Sequence, residues 1–282
     1  MGIWKDAIYG CIVGDALGVP VEFLSRVDLK ANPVTDMREF GSHDQPQGTW
    51  SDDSSMILAE VESIKDCGGI DFDNIMENFI KWKSKGMFTP FGVVFDIGMT
   101  CAEAIQKYLE TGDYLHCGKN GYHSNGNGSL MRIMPFCLYA IEKGYDKSEA
   151  ERLISTASAL THAHKVSIGC CIIYYNLVKS IIKKHAIPDE MIAKYKEKAE
   201  DEIGSSGFVM DTLEASIWCL VNSSSYKECV LKAVNLGDDT DTTGCVAGGL
   251  AGLYFGFDSI PEGWVDCLQK REEISKLIDE ME

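Results

Sequence analysis

Two segments of this chain are unusually rich in small residues, and they restrict the possible folds more than any other feature. They are GCIVGDALG at residues 10–18 and GCVAGGLAGLYFG at residues 244–256. Glycine inside a helix costs about 1 kcal/mol relative to alanine, so such a helix persists where two backbones must approach closely. We therefore expect both segments to be helices that cross the centre of a bundle. Both are too short for a membrane dimer motif, and the first carries Asp15.

Apolar residues recur at helical spacing through most of the chain, which predicts an all-α protein with ten or more helices. Clear examples are residues 56–64, 129–141, 147–160, 166–183, 208–221 and 245–255. The polar stretches 25–50 and 111–128 are interpreted as loops, and the charged stretch 184–206 as a solvated surface helix with its flanks. No linker rich in Gly, Ser or Pro divides the sequence, so we interpret residues 1–282 as a single domain.

The composition excludes several classes of protein. A net charge of −17 argues against a surface that follows nucleic-acid phosphates. The eleven cysteines contain no CxxC pair, so we expect buried, reduced thiols and neither zinc sites nor disulfides. The N-terminal segment MGIWKDAIYG lacks the features of a secretion signal, and no apolar run reaches the roughly 18 residues that span a bilayer. We expect a cytoplasmic protein that does not contact membranes.

Two clusters of carboxylates stand directly before apolar helical segments. The first is Ser51-Asp52-Asp53, which could be a helix N-cap or part of a metal site, and the doublet alone favours the cap. The second, GDDTDT at 237–242, has three carboxylates and two hydroxyls within five residues and no Lys or Arg nearby to neutralise them. A hard divalent cation would do so. If the clusters converge, they could hold two cations, as in two-metal hydrolytic sites.

Three further signals are weaker when taken alone. The turn NGNGS at 125–129 could bind phosphate through backbone N–H groups, with Ser129 opening the next helix, but NGNG is also an ordinary turn. Arg132 either binds an anion or pairs with a core carboxylate. Pro20 should end the first helix and leave Glu22 in the following loop, facing either a cleft or solvent. His162 could contact a ligand or cap a helix.

Taken together and in this order, these motifs resemble the ADP-ribosylglycohydrolase family, whose bacterial prototype is the dinitrogenase reductase-activating glycohydrolase. The similar segments extend from residue 10 to residue 256: GCIVGDALGVPVEF, GTWSDDSSM, FDIGMT, NGNGSLMRIMP, THAHK and LGDDTDTTGCVAGGLAGLYFG. The resemblance implies a compact, single-domain orthogonal multi-helix bundle with two Mg²⁺ (or Mn²⁺) ions at the floor of a cleft.

The resemblance also implies a role for each matching residue. The implied metal ligands are Ser51, Asp52, Asp53, Asp239, Asp241 and Thr242. The diphosphate of ADP-ribose would lie on Gly126, Asn127, Gly128 and Ser129, and His162 would contact the ligand. Glu22 would gate the cleft or transfer a proton, and Asp96 would be a second acid or base.

The implied reaction is removal of ADP-ribose from a modified protein side chain, with arginine expected, through an oxocarbenium-like state and by a monomer. Two alternatives are a non-catalytic member that binds ADP-ribose or has a structural role, as in lens crystallins, and a two-metal phosphohydrolase. The sequence departs from the family pattern at three positions. Ser51 replaces a usual threonine, Asp238 stands where many relatives have glycine, and Met99 occupies a position that is often polar.

Overall fold

Helices form 65% of the computed structural model, which describes residues 2–282, and no sheet is present among these residues. The fifteen α-helices are α1 (Ile3–Gly18), α2 (Arg26–Ala31), α3 (Asp52–Cys67), α4 (Phe72–Lys85), α5 (Met99–Thr111), α6 (Tyr114–Cys117), α7 (Met134–Glu142), α8 (Lys147–Ala159), α9 (Lys165–Lys184), α10 (Asp189–Tyr195), α11 (Val209–Val221), α12 (Tyr226–Val234), α13 (Thr240–Phe255), α14 (Glu262–Asp266) and α15 (Arg271–Asp279). The predicted all-α fold is confirmed.

The two glycine-rich segments form α1 and α13, whose backbones touch along their length. A Cβ atom added to Gly14 would lie 2.1 Å from the carbonyl oxygen of Gly244, and one added to Gly10 would lie 2.4 Å from that of Gly248. At the end of α1, a Cβ on Gly18 would lie 2.4 Å from the Cα of Asp241. The close approach expected from the glycine content is therefore present, and it places the end of α1 against the start of α13.

Other helices surround this central pair and close the core. Helices α11 and α12 pack on α13, while α3 and α7 pack on α1. The hydroxyl of Tyr226 donates to the carbonyl of Gly10 at 2.8 Å, and that of Tyr174 donates to the carbonyl of Val246 at 3.1 Å. The eleven cysteines are free thiols, and all except Cys67 and Cys267 are buried, as expected. The single-domain interpretation stays a prediction.

Several helix boundaries differ from the sequence-based expectation. Residues 128–132 form turns and α7 begins at Met134, so the prediction that Ser129 opens a helix is wrong. The reason is Pro135, which suits the first turn of a helix but would remove an internal hydrogen bond if the helix began at residue 129. The predicted loops contain the short helices α2 and α6, started by the side-chain caps of Ser25 and Asp113.

Helix α9 is the one helix within residues 2–282 whose length and composition would allow it to cross a membrane. Its mean hydropathy is 1.3, and 44% of the apolar window is buried inside the protein. The sequence-based count missed it because lysine, serine and asparagine interrupt the apolar residues. Core helices of soluble proteins have the same pattern, so this property alone is weak evidence for a membrane span.

The contact between α1 and α13 predicts a large difference between two Gly→Ala substitutions inside helices. Gly14→Ala should destabilise the protein by about 1–3 kcal/mol or more, because the added methyl group meets backbone atoms. Gly169→Ala in α9 is the matched control, since its Cβ would have no atom within 4 Å, and it should be neutral or stabilising by about 0.5–1 kcal/mol. Denaturant unfolding measures both, and equal effects would contradict the close packing.

Candidate active site

A cleft of about 290 Å³ opens where the end of α1 meets the starts of α3, α5 and α13. Nine of the thirteen predicted site residues line it: Glu22, Asp52, Asp96, Gly126, Asn127, Gly128, His162, Asp239 and Thr242. Ser51, Asp53 and Asp241 are buried around its floor, at 2%, 0% and 1% exposure. The two carboxylate clusters, far apart in sequence, are therefore brought together as the sequence analysis expected.

The floor of the cleft contains two groups of converging carboxylates that share one residue. In the first group, one carboxylate oxygen from each of Asp15, Asp53 and Asp241 lies within 4.8 Å of the others. In the second, Glu22, Asp239 and Asp241 satisfy the same limit. Asp53 Oδ1 and Asp239 Oδ1 are buried without a hydrogen-bond partner among the described residues. Carboxylates at this density and with unpaired oxygens suit hard divalent cations.

Burial and mutual repulsion shift the pKa values of these groups in the same direction. Burial, with neighbouring carboxylates adding to it, raises the pKa of Asp53 and of Asp241 well above the usual aspartate range. Burial raises the pKa of Asp15 to about 6, although hydrogen bonds from Ser54 and Ser51 oppose the shift. A bound cation would stabilise the ionised forms, which the protein alone disfavours.

Asp15 is the member of this floor that the sequence analysis did not identify. Its Oδ2 accepts hydrogen bonds from Ser54 Oγ at 2.5 Å and Ser54 N at 3.0 Å, and its Oδ1 accepts from Ser51 N at 3.0 Å. Through these hydrogen bonds Asp15, a residue of α1, holds the first turn of α3 in place. An aspartate inside an apolar, glycine-rich helix is costly to bury without a purpose, and that was the available signal.

The two hydroxyl residues of the predicted ligand set meet at one carboxylate. Ser51 Oγ donates to Asp53 Oδ2 at 3.0 Å, and Thr242 Oγ1 donates to the same oxygen at 3.2 Å. Ser51 is also the N-cap of α3, accepting from Asp53 N at 3.3 Å. The cap interpretation is thus correct for Ser51, and the same side chain also lies beside the converging carboxylates. Asp52 points away from this cluster towards the cleft wall, where its Oδ2 accepts a hydrogen bond from Gly98 N at 3.4 Å.

The glycine turn at 126–129 lies beside the cleft, but its members differ in accessibility. Asn127 Nδ2 donates to Asp239 Oδ2 at 2.8 Å, while its backbone N–H donates to Gly207 O at 3.1 Å. Gly128 lies so close to His162 that a Cβ would be 2.9 Å from the ring. Ser129 is fully buried and receives a hydrogen bond from Ser158 Oγ at 3.0 Å, so it faces the interior and not the cleft.

His162 lines the cleft as a neutral ring. It is 2% exposed, its Nδ1 lies 2.9 Å from Thr161 Oγ1, and burial lowers its pKa to about 3, with the charge of Arg132 contributing. The capping role belongs instead to His164, whose Nδ1 accepts from Val166 N at the start of α9. His162 is therefore free to contact a ligand through its other nitrogen.

Arg132 is a core residue and not an anion ligand. Its Nη1 donates to Glu60 at 2.6 Å, and both side chains are fully buried. Its Nη2 donates to Thr161 Oγ1 at 2.8 Å and to the carbonyl of Ala157. Of the two interpretations from the sequence, the structure therefore supports the pair with a core carboxylate, and through Thr161 this pair supports the segment that carries His162.

Glu22 follows a short 3₁₀ turn, Val19–Val21, that contains Pro20 and ends the first helix as expected. It faces the cleft and is only 6% exposed. Burial raises its pKa to about 7, with Asp96 and Asp239 adding to the rise and His43 opposing it. His43, from the stretch interpreted as a loop, lies in hydrogen-bond contact with Glu22 and was not identified from sequence.

Residues 4–282 match the ADP-ribosylglycohydrolase family. The chain belongs to this family. It is 32% identical to the ADP-ribosylarginine hydrolase Tri1 of Serratia proteamaculans, over 98% of this chain and 78% of that protein. It is 29% identical to the ADP-ribosyl-(dinitrogen reductase) glycohydrolase of Rhodospirillum rubrum, over 97% and 93%. A solved structure described as an ADP-ribosylglycohydrolase-related protein complex aligns with a TM-score of 0.81 at 28% identity, covering 99% and 96%.

Family membership confirms the resemblance based on the sequence motifs. Like its relatives, this ADP-ribosylglycohydrolase is a hydrolase that acts on glycosyl bonds. The family is metal-dependent, and the buried acidic groups could bind metal. Of the three departures from the family pattern, Asp238 is exposed and adopts φ 60°, a conformation that favours glycine. Met99 is 76% exposed at the cleft mouth.

The acidic floor predicts that Asp53→Asn has opposite effects with and without divalent cations. In EDTA the variant should melt at a higher temperature than the parent protein, because asparagine is neutral and avoids the cost of either ionising or protonating a buried carboxyl group beside Asp15 and Asp241. At a Mg²⁺ or Mn²⁺ concentration near 100 times Kd, the parent protein should gain about 2.7 kcal/mol, or roughly 5–10 °C, and the variant much less. Asp201→Asn, at an exposed aspartate, is the control. Equal cation-induced shifts in the variant and the parent protein would contradict the assignment.

Proposed function

We propose that this ADP-ribosylglycohydrolase uses two divalent cations, Mg²⁺ or Mn²⁺, to release ADP-ribose from ADP-ribosylated arginine on proteins. The observation that carries the proposal is the pair of carboxylate groups that share Asp241 beneath the glycine turn. Two groups with one shared ligand suit two neighbouring cations. The relatives from Serratia proteamaculans and Pseudomonas putida, both named ADP-ribosylarginine hydrolases, support the choice of arginine.

The cations would be held by the side chains that converge on the floor. These are the predicted ligands Ser51, Asp53, Asp239, Asp241 and Thr242, together with Asp15, whereas Glu22 borders the second group and Asp52 would act from the cleft wall. Cations held there would supply positive charge that could orient the ribose hydroxyls and lower the pKa of a nearby water. The hydrogen bonds from Ser54 to Asp15 and from Asn127 to Asp239 hold these carboxylates in place.

The substrate would lie across the cleft with its diphosphate at the glycine turn. Gly126 and Gly128 have no side chain there, so a phosphate group can approach their backbone. His162 is neutral, so it offers a hydrogen bond or a flat ring without adding charge. Ser129 is oriented towards the interior, and its part would be to hold the turn through Ser158.

Glu22 is the residue to which we assign proton transfer. One oxygen, Oε2, contacts His43, while Oε1 has no hydrogen-bond partner within residues 2–282 and is free to meet the leaving nitrogen or a water. Asp96 lines the same cleft, where a carboxylate would stabilise the positive charge that develops on the ribose as the anomeric C–N bond breaks and its electron pair passes to the leaving nitrogen. The acidic side chains of Asp96 and Asp52 on the cleft wall suit the cationic guanidinium of a modified arginine better than a neutral serine.

Two substitutions test this function. Asp241→Ala should abolish release of ADP-ribose from an ADP-ribosylated arginine substrate and remove the cation-induced gain in melting temperature, because Asp241 belongs to both carboxylate groups. Glu22→Gln should lower kcat by about 10²-fold or more, since a positioned acid or base contributes that much. The control is Asp201→Asn.

Product analysis separates the alternatives. Free ADP-ribose supports the proposal, AMP or inorganic phosphate would indicate a phosphohydrolase, and no turnover with intact Mg²⁺ or Mn²⁺ binding would indicate a non-catalytic member. In a panel of ADP-ribosylated arginine, serine and O-acetyl ester substrates, arginine should have the highest kcat/KM. Full activity of Asp241→Ala would refute the metal assignment.

A further inference from the structure

Residues 40–45 contact Glu22 at two points, although the sequence analysis treated this stretch as a loop. His43 Nε2 lies in hydrogen-bond contact with Glu22 Oε2, and Ser42 Oγ donates to the backbone carbonyl of Glu22 at 2.5 Å. A Cβ on Gly41 would lie 1.9 Å from the carbonyl oxygen of Pro20, so this segment packs directly on the turn that carries Glu22. Both the side chain and the backbone of Glu22 are therefore held from one side.

The ring of His43 is itself fixed by its neighbours. It lies between Phe23 and Phe95, with ring centroids 5.7 Å and 5.2 Å away, and its side chain is 12% exposed. Gln45 Nε2 donates to the His43 carbonyl at 3.0 Å. When Glu22 is ionised its carboxylate only accepts hydrogen bonds, and Nε2 of this fixed ring is then the donor. The position of Glu22 Oε2 is thus set by a ring that has little room to move.

Three residues beside this contact have positive φ values. Phe23 and Phe40, at 66° and 60°, are bulky residues that rarely adopt this region, whereas Asp44, at 53°, is of a type that tolerates it. Such conformations persist where the surrounding structure requires them, and they are found preferentially at functional sites. Two of the three flank His43, and the third directly follows Glu22. The strain indicates that this segment is built to hold a particular arrangement.

Glu22 needs such support because its carboxylate has a competing position. One oxygen of Glu22 lies within 4.8 Å of carboxylate oxygens of Asp239 and Asp241, so a cation bound by those two residues would draw Glu22 towards it as a further ligand. The Glu22 side chain has three rotatable bonds. Without a hydrogen-bond donor fixed beside it, the carboxylate would also be free to turn to solvent. The contact with His43 holds Oε2 against residues 40–45 and leaves Oε1 for the reaction.

We propose that His43 is a positioning residue that keeps the Glu22 carboxyl group directed at the scissile bond. This inference rests on the proton-transfer role proposed for Glu22. His43 acts through Glu22 and touches neither substrate nor reacting atoms. Its removal should therefore slow the chemical step and leave substrate binding nearly unchanged.

Two substitutions separate the hydrogen bond from the ring packing. His43→Phe keeps an aromatic ring between Phe23 and Phe95 but loses the donor, and it should lower kcat about tenfold or more with KM within about twofold. His43→Gln can place an amide donor near the former Nε2 position, and it should retain kcat within about threefold. If His43 acted only through the packing of its ring, His43→Phe would retain kcat and His43→Gln would lower it. His116→Phe is the control, because it removes the contact between an exposed histidine and Asp113, in which Nδ1 lies 2.7 Å from Oδ2.

A double-substitution cycle with Glu22→Gln links the effect to Glu22. In the Glu22→Gln background, His43→Phe should cause no further loss of kcat, because the group that it positions no longer transfers a proton. Multiplicative losses in the double variant would overturn the positioning role. So would wild-type kcat in His43→Phe when Glu22→Gln is inactive. Wild-type kcat in Glu22→Gln would instead refute the role of Glu22, so the two failures are distinguishable.

Discussion

The direct contact between the backbones of α1 and α13 is the constraint on which the site depends. Packed helices are usually 8–10 Å apart because side chains separate them. Here Gly10, Gly14 and Gly18 remove those side chains, and Gly18 lies against the backbone of Asp241. The carboxylate of Asp15 therefore reaches that of Asp241, although the two residues are at opposite ends of the chain. The packing of the core and the geometry of the floor have the same origin.

The floor places several buried carboxylates near one another, which a protein fold tolerates poorly without compensation. Hydrogen bonds from Ser54, Ser51 and Asn127 offset part of this cost, but Asp53 Oδ1 and Asp239 Oδ1 stay unpaired among the described residues. A site that is unfavourable when empty and favourable around cations gains stability on loading.

The sequence predicted the features that depend on local pattern and missed those that depend on contacts distant in sequence. Helical periodicity, the glycine-rich pair and the carboxylate clusters were visible because each is a short motif. Asp15 was missed because its role depends on Ser51 and Ser54, which are 36 and 39 residues away in sequence. His43 was missed because polar residues at 25–50 predict a loop and not the contacts of that loop. Ser129 was misplaced because the turn before Pro135 resembles a helix start in sequence alone.

The central claim is that the converging carboxylates hold two cations around a shared Asp241. Anomalous diffraction from crystals soaked in Mn²⁺ tests it most directly, because it locates the ions independently of activity. The account predicts two anomalous peaks in the cleft, one bounded by Asp15, Asp53 and Asp241 and the other by Glu22, Asp239 and Asp241. An absence of peaks at the floor, in crystals where Mn²⁺ reaches the cleft, would contradict it.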